Sequence, residues 1–177
     1  MSGPSDTPEP PADATVEPAT PADRLDVLRV LDAAMLETDA ATVDDRIAAA
    51  DAIVARSTRT DGVVGALVAV RPDPDRLHVD AVAVRPARRG RGIGSALVAA
   101  AVDRGASDPA IETVSARFDA DLRAFYEALG FRVRSEQAAR DSTVDPTDDG
   151  SAATDDASDG NPTRLDGRVS VDGRDSA

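Results

Sequence analysis

Apolar residues recur at helical spacing as Leu25, Leu28, Val30, Leu31 and Met35, which predicts a helix running to about Glu37. Thr20-Pro21-Ala22-Asp23 marks its start: a threonine N-cap, proline at the first helical position and an acid at the third each satisfy or remove an orphan amide. A second start follows at Thr42, with Asp44 and Asp45 in the first turn and Ile47 to Ala50 behind. From there the period shortens. Ala52–Ser57 and Val63–Val70 flank Thr60-Asp61-Gly62 and read as a hairpin turning on the Asp-Gly pair. Arg71 to Asp75 is a turn, Leu77–Val84 a third strand, Gly92 to about Arg104 an alanine-rich helix, Ile111–Ala116 a strand, Ala120–Leu129 a helix and Phe131–Arg134 a strand. Ala14–Glu17 is a short strand ahead of them all. A hairpin followed by alternating strands and helices predicts an α/β domain with a mixed central sheet flanked by helices.

Outside that pattern the composition changes. Residues 1–13 lack apolar periodicity and are expected to form a disordered tail, as is the stretch from about Gln137 to Pro162. The expected organisation is a domain over 14–136 between an N-terminal tail and an acidic low-complexity tail over 137–177. Within the latter, RLDGRVSV places Asp166-Gly167 between short alternating segments. Residues 164–171 therefore read either as a short hairpin or as more tail.

Charge sharpens this division. The 177 residues carry 33 acids, 27 of them aspartate, against 20 basic residues, all arginine, for a net charge of -13. Residues 1–22 contribute -4 and residues 135–177 contribute -7, leaving -2 for the 112 residues between. Such a balance argues against nucleic-acid or anionic-membrane partners, which need clustered cations. Abundant aspartate without lysine resembles proteins adapted to concentrated salt. No cysteine and a single histidine, His78, exclude a disulfide framework, a cysteine nucleophile and any site with two imidazole ligands; no metal is expected. Neither a membrane-length apolar run nor a basic-then-apolar leader is visible, so a cytoplasmic protein is expected.

Positive charge gathers at one place. After the strand ending at Val84 come Arg85-Pro86 and then Arg88-Arg89-Gly90-Arg91-Gly92-Ile93-Gly94, which opens directly into a helix. The glycines remove side chains that would hold an oxygen-rich ligand off the backbone, the helix start aims unpaired amides at the same place, and the arginines can pair with phosphate oxygens. The spacing is neither the G-x-G-x-x-G of dinucleotide folds nor a Gly-Lys-Ser/Thr loop. The alternative is a tight connection with no ligand.

Arg89-x-x-Gly92-x-Gly94 resembles the acyl-CoA pyrophosphate motif of the GNAT acetyltransferase superfamily, and Ala124-Phe125-Tyr126-Glu127-Ala128-Leu129-Gly130-Phe131 resembles its second signature. Val16 to Asp23 is similar to the start of many members. The resemblance covers roughly residues 14–134 and implies the GNAT acyl-CoA N-acyltransferase fold, with acetyl-CoA as co-substrate and direct transfer of the acetyl group to a primary amine. It implies that backbone groups of Val82, Ala83 and Val84 pair with the pantetheine arm where the fourth strand splays from the fifth. Amides of Arg89, Gly90, Arg91, Gly92, Ile93, Gly94 and Ser95 would hold the pyrophosphate. Tyr126 falls where a phenol serves as general acid to the departing thiolate; packing in the core with Phe125 is its other reading, and the two are compatible. Asp80 is the candidate base, with His78 two residues earlier on the same strand face and a water chain as alternatives. Asp119 stands where many members carry an asparagine that contacts the cofactor. An ionised carboxylate cannot donate that bond, and Asp119 is expected to cap the following helix instead.

The acceptor is expected to be a small-molecule or peptide amine, and the acidic surface biases the choice toward cationic amines. A non-catalytic acyl-CoA-binding module on the same fold is the competing function. The chain is expected to be a monomer or homodimer, and the last strand of the fold to be lost, supplied by Val169–Val171, or supplied by a partner chain.

Overall fold

A computed structural model of the chain describes residues 10–36, 38–135 and 164–171. Among the described residues, seven strands form one sheet in the order β1-β2-β3-β4-β5-β7-β6: β1 (Ala14–Pro18), β2 (Ala52–Ser57), β3 (Val63–Asp73), β4 (Arg76–Val84), β5 (Thr113–Asp119), β6 (Arg132–Ser135) and β7 (Arg164–Ser170). Neighbours run antiparallel except β4 and β5, which are parallel and joined by a helical crossover. The helices are α1 (Arg24–Asp32), α2 (Ala40–Ala48), α3 (Ile93–Ala106) and α4 (Arg123–Ala128). This is the mixed, helix-flanked sheet that the alternating pattern predicts.

Local differences have local causes. Helix α1 stops at Asp32 rather than near Glu37, because the chain turns through a positive φ of 57° at Met35. Helix α2 begins earlier than Thr42, since the Asp39 carboxylate accepts the Thr42 amide and caps it. Strand β3 continues to Asp73, confining the following turn to Pro74 and Asp75. Pro21–Asp23 form a 3-10 turn, with Asp23 accepting both the amide and the hydroxyl of Thr20. The tails expected over 1–13 and 137–162 lie outside the described residues, apart from 10–13.

The hairpin reading of 164–171 is corrected. Residues 164–170 form one strand, paired antiparallel with β5 on one side and β6 on the other. Asp166-Gly167 lies mid-strand, where Gly167 is needed for space rather than for a turn: a Cβ there would sit 2.8 Å from Phe118 and 3.2 Å from Phe131.

Each face of the sheet carries a core. On one, Ile93 and Leu97 of α3 and Tyr126 of α4 pack on Leu67, Leu77, Val114 and Phe118. On the other, Val27, Leu31, Val43 and Ile47 of α1 and α2 pack on Val54, Val68, Ala81 and Ala83. Strict alternation along β4 would keep residues 77, 79, 81 and 83 on one face. They divide between the two cores because Val79 opposes Ala69 and Ala81 opposes Val68, leaving Asp80 as the extra residue of a β-bulge.

Candidate active site

The bulge coincides with a parting of the sheet. Strand β4 pairs with β5 only from Arg76–Val79 to Thr113–Ala116, whereas β4 continues to Val84 and β5 to Asp119. Asp80 to Val84 therefore present a free backbone edge to a cleft of about 1100 Å³ that opens between the strands. An extended polar chain laid along that edge could take up the amides and carbonyls that β5 leaves unpaired, except the Val84 carbonyl, which accepts from Arg89.

On the α3 side the cleft is floored by Val82 and Val84 and closed by the loop from Arg88 to Ser95. Gly90 has φ +72° and Gly92, the N-cap of α3, has φ +80°, both in the left-handed region that side chains disfavour. A Cβ at either position would meet nothing within 4 Å. The loop is thus a bare backbone cradle at the positive end of a helix of 14 residues, and polyphosphate is the chemistry it suits. The arginines, expected to be able to pair with phosphate oxygens, have protein partners in this structure. Arg88 and Arg91 reach the Asp13 carboxylate at 2.7 and 3.3 Å. Arg89 donates through Nε to the Val84 carbonyl at 3.0 Å. The backbone amides are thus the donors the loop leaves open to an anion, while two of its guanidinium groups are already paired with Asp13.

Tyr126 lines the same cleft. Its ring is buried, stacked on Phe118 with centroids 3.9 Å apart, and edge-on to Phe125 and Phe131. The core reading holds, since the ring packs among three phenylalanines, and the residue also faces the cleft. Burial pushes its phenol up to about 12, so it is a neutral proton donor throughout the physiological range.

His78 and Asp80 line the cleft where the strands part. His78 Nδ1 lies 2.9 Å from the hydroxyl of Ser115, its partner across the parallel ladder. Burial lowers the imidazole pKa, opposed by the Asp80 charge, so the ring is held neutral near pH 7. Asp80 is exposed and projects from the bulge. Asp119 occupies the N-cap position of the 3-10 turn Ala120–Leu122, but its side chain makes no capping bond; it stays exposed on the cleft lining. Of the candidate catalytic and cofactor-binding residues, Arg91 alone is absent from that lining. Ala34 and Leu36 from the α1–α2 connection, and Arg117 and Arg164 from β5 and β7, join it without having been anticipated.

Residues 48–133 match the family model of the acetyltransferase (GNAT) domain. Over that stretch, just under half of its length, the chain is similar to the GNAT acetyltransferases. Its fold is shared with Ard1 from Thermoplasma volcanium, at a TM-score of 0.63 and 18% identity over 90% of this chain and 98% of that one. It is shared also with Rv2747 from Mycobacterium tuberculosis in complex with CoA and NLQ, at 0.60 and 25% identity over 68% and 72%. Naa50 from Arabidopsis thaliana, in complex with the bisubstrate analogue CoA-Ac-MVNAL, aligns at 0.57 and 19% identity over 70% and 85%. No curated protein sequence matches the chain.

Proposed function

We propose that this protein is an N-acetyltransferase that moves the acetyl group of acetyl-CoA to a primary amine of a small molecule or a polypeptide. The observation that carries this reading is the coincidence, in one cleft, of a free β4 edge, a bare glycine cradle at the start of α3 and a tyrosine whose phenol stays protonated. The CoA-bound Rv2747 and the bisubstrate-bound Naa50 support it by their shared fold.

The residues divide the work by position. Amides of Gly90 to Ser95 bind the pyrophosphate, and the Val82–Val84 edge aligns the pantetheine arm, which brings the thioester to the parting of the strands. An acceptor amine enters from the side of His78 and Asp80. Either group, directly or through water, takes the ammonium proton and leaves the nitrogen lone pair free. As the new C–N bond forms and the C–S bond breaks, Tyr126 gives its proton to the departing sulfur, and the second proton released by the acylated nitrogen restores the phenol through water. Acetyl-CoA supplies the activated acyl group, and the surrounding apolar side chains keep water from competing for it.

The test is mass spectrometry of acetylated products after incubating the purified protein and acetyl-CoA with a mixed library of amines and peptides. An acetyl-CoA-dependent mass gain on at least one primary amine is expected. Cofactor binding without transfer to any acceptor identifies a binding module instead.

A further inference from the structure

The net charge of -13 does not describe the sheet face beside the acceptor entrance. On the β5–β7–β6 wing, Val114, Ala116, Phe118, Leu165 and Val133 point into the core shared with α3 and α4. Alternation therefore places Arg117 of β5, Arg164, Asp166 and Arg168 of β7, and Arg132 and Arg134 of β6 on the opposite face. All five arginines are exposed. Register sets them around one carboxylate: Asp166 stands between Arg117 and Arg134 on its two neighbours, with Arg164 and Arg168 two residues away on its own strand, and Arg132 opposite Arg168. Among the described residues the only ion pair in this set is Arg117 with Asp166, at 3.8 Å. Helices α1 and α2, on the same side of the sheet, pack on β2, β3 and β4, and the arginine grid begins where they leave off. Arg117 and Arg164 also line the catalytic cleft, so the grid runs into it.

We infer that this face is the docking surface for the acceptor, and that the acceptor is a polypeptide whose reactive amine is followed by acidic residues. The inference rests on the acetyltransferase reading for the amine, and on the arginine grid for the charge. Size favours a peptide over a single carboxylate: two inter-strand spacings by four residues of strand is roughly 10 by 13 Å, the reach of three or four extended residues. Chemistry favours it over nucleic acid, since a nucleic acid offers the cleft no basic amine and this set of side chains contains no aromatic ring on which bases could stack. The local charge thus reverses the preference for cationic acceptors that the whole-chain balance suggests.

The experiment compares three peptides with the same N-terminal pair of residues followed by four glutamates, four glutamines or four arginines. At about 50 mM salt the acidic peptide should be acetylated with a kcat/KM about ten-fold above the glutamine peptide, and the difference should shrink at about 0.5 M salt. The triple charge reversal Arg132→Glu, Arg134→Glu and Arg168→Glu lies outside the cleft. It should weaken binding of the fluorescent acidic peptide, measured by anisotropy, by about ten-fold or more, while CoA affinity and transfer to the glutamine peptide stay unchanged. If the triple variant does not fold, Arg134→Gln alone should weaken that binding about two-fold. Equal use of the three peptides, or an oligonucleotide that binds the face where acidic peptides do not, overturns the inference and leaves the acetyltransferase reading standing. Charge-dependent peptide binding with no transfer supports the docking surface and removes the acetyltransferase reading.

Discussion

Tyr126→Phe is expected to lower kcat by about 100-fold, within the range of ~10²–10⁴ that a positioned proton donor contributes. CoA affinity should change little. The variant removes only the hydroxyl, and the ring that stacks on Phe118 at 3.9 Å stays in place, so thermal unfolding should be close to wild type. The pH profile separates acid from base. With its phenol pushed up to about 12, Tyr126 causes no alkaline loss of activity below that value. If His78 takes the ammonium proton, the acid limb should lie below the ordinary imidazole value of 6.5, because burial lowers its pKa and the ring accepts a proton only in its neutral form. An unchanged kcat in Tyr126→Phe assigns the residue to the core alone.

Gly92→Val is expected to weaken CoA binding by about 100-fold, the loss of one or two charge-assisted amide–phosphate bonds at ~1.5–3 kcal/mol each. At φ +80° a β-branched side chain is strained, and it projects into the space left open for the ligand. Strain alone could imitate that result, and Gly130 provides the control. It has φ +87°, equally open surroundings and no place in the cleft lining. Gly130→Val should show a similar loss of thermal stability with CoA binding intact. Equal loss of binding in both variants would mean that the cradle is structural.

The strand–glycine turn–helix segment was readable because it is local: apolar alternation to Val84, three glycines and an alanine-rich helix follow one another within 30 residues. The tyrosine was readable for the same reason. The bulge at Asp80 was not, since it exists only as a mismatch between the registers of β3 and β4, and a single strand carries no sign of its partner's count. Asp166-Gly167 misled because the pair that makes a hairpin turn also suits a strand where two phenylalanines crowd the backbone, and Phe118 and Phe131 are distant in sequence. The arginine-rich loop was legible as composition, but Asp13, 75 residues before Arg88, decides where two of those side chains point. The arginine grid was invisible for a related reason: its members come from three strands, and β7 enters the sheet between β5 and β6 out of chain order.

One cleft, between the parted ends of β4 and β5, is proposed to receive the CoA moiety. Amide chemical shifts mapped by NMR during a CoA titration test this most directly. Saturable shifts are expected at Val82 to Val84 and Gly90 to Ser95, with the amides of β1 and α2 unaffected. Absence of shifts at the β4 edge and the α3 start, with saturable shifts elsewhere in the domain, would contradict it.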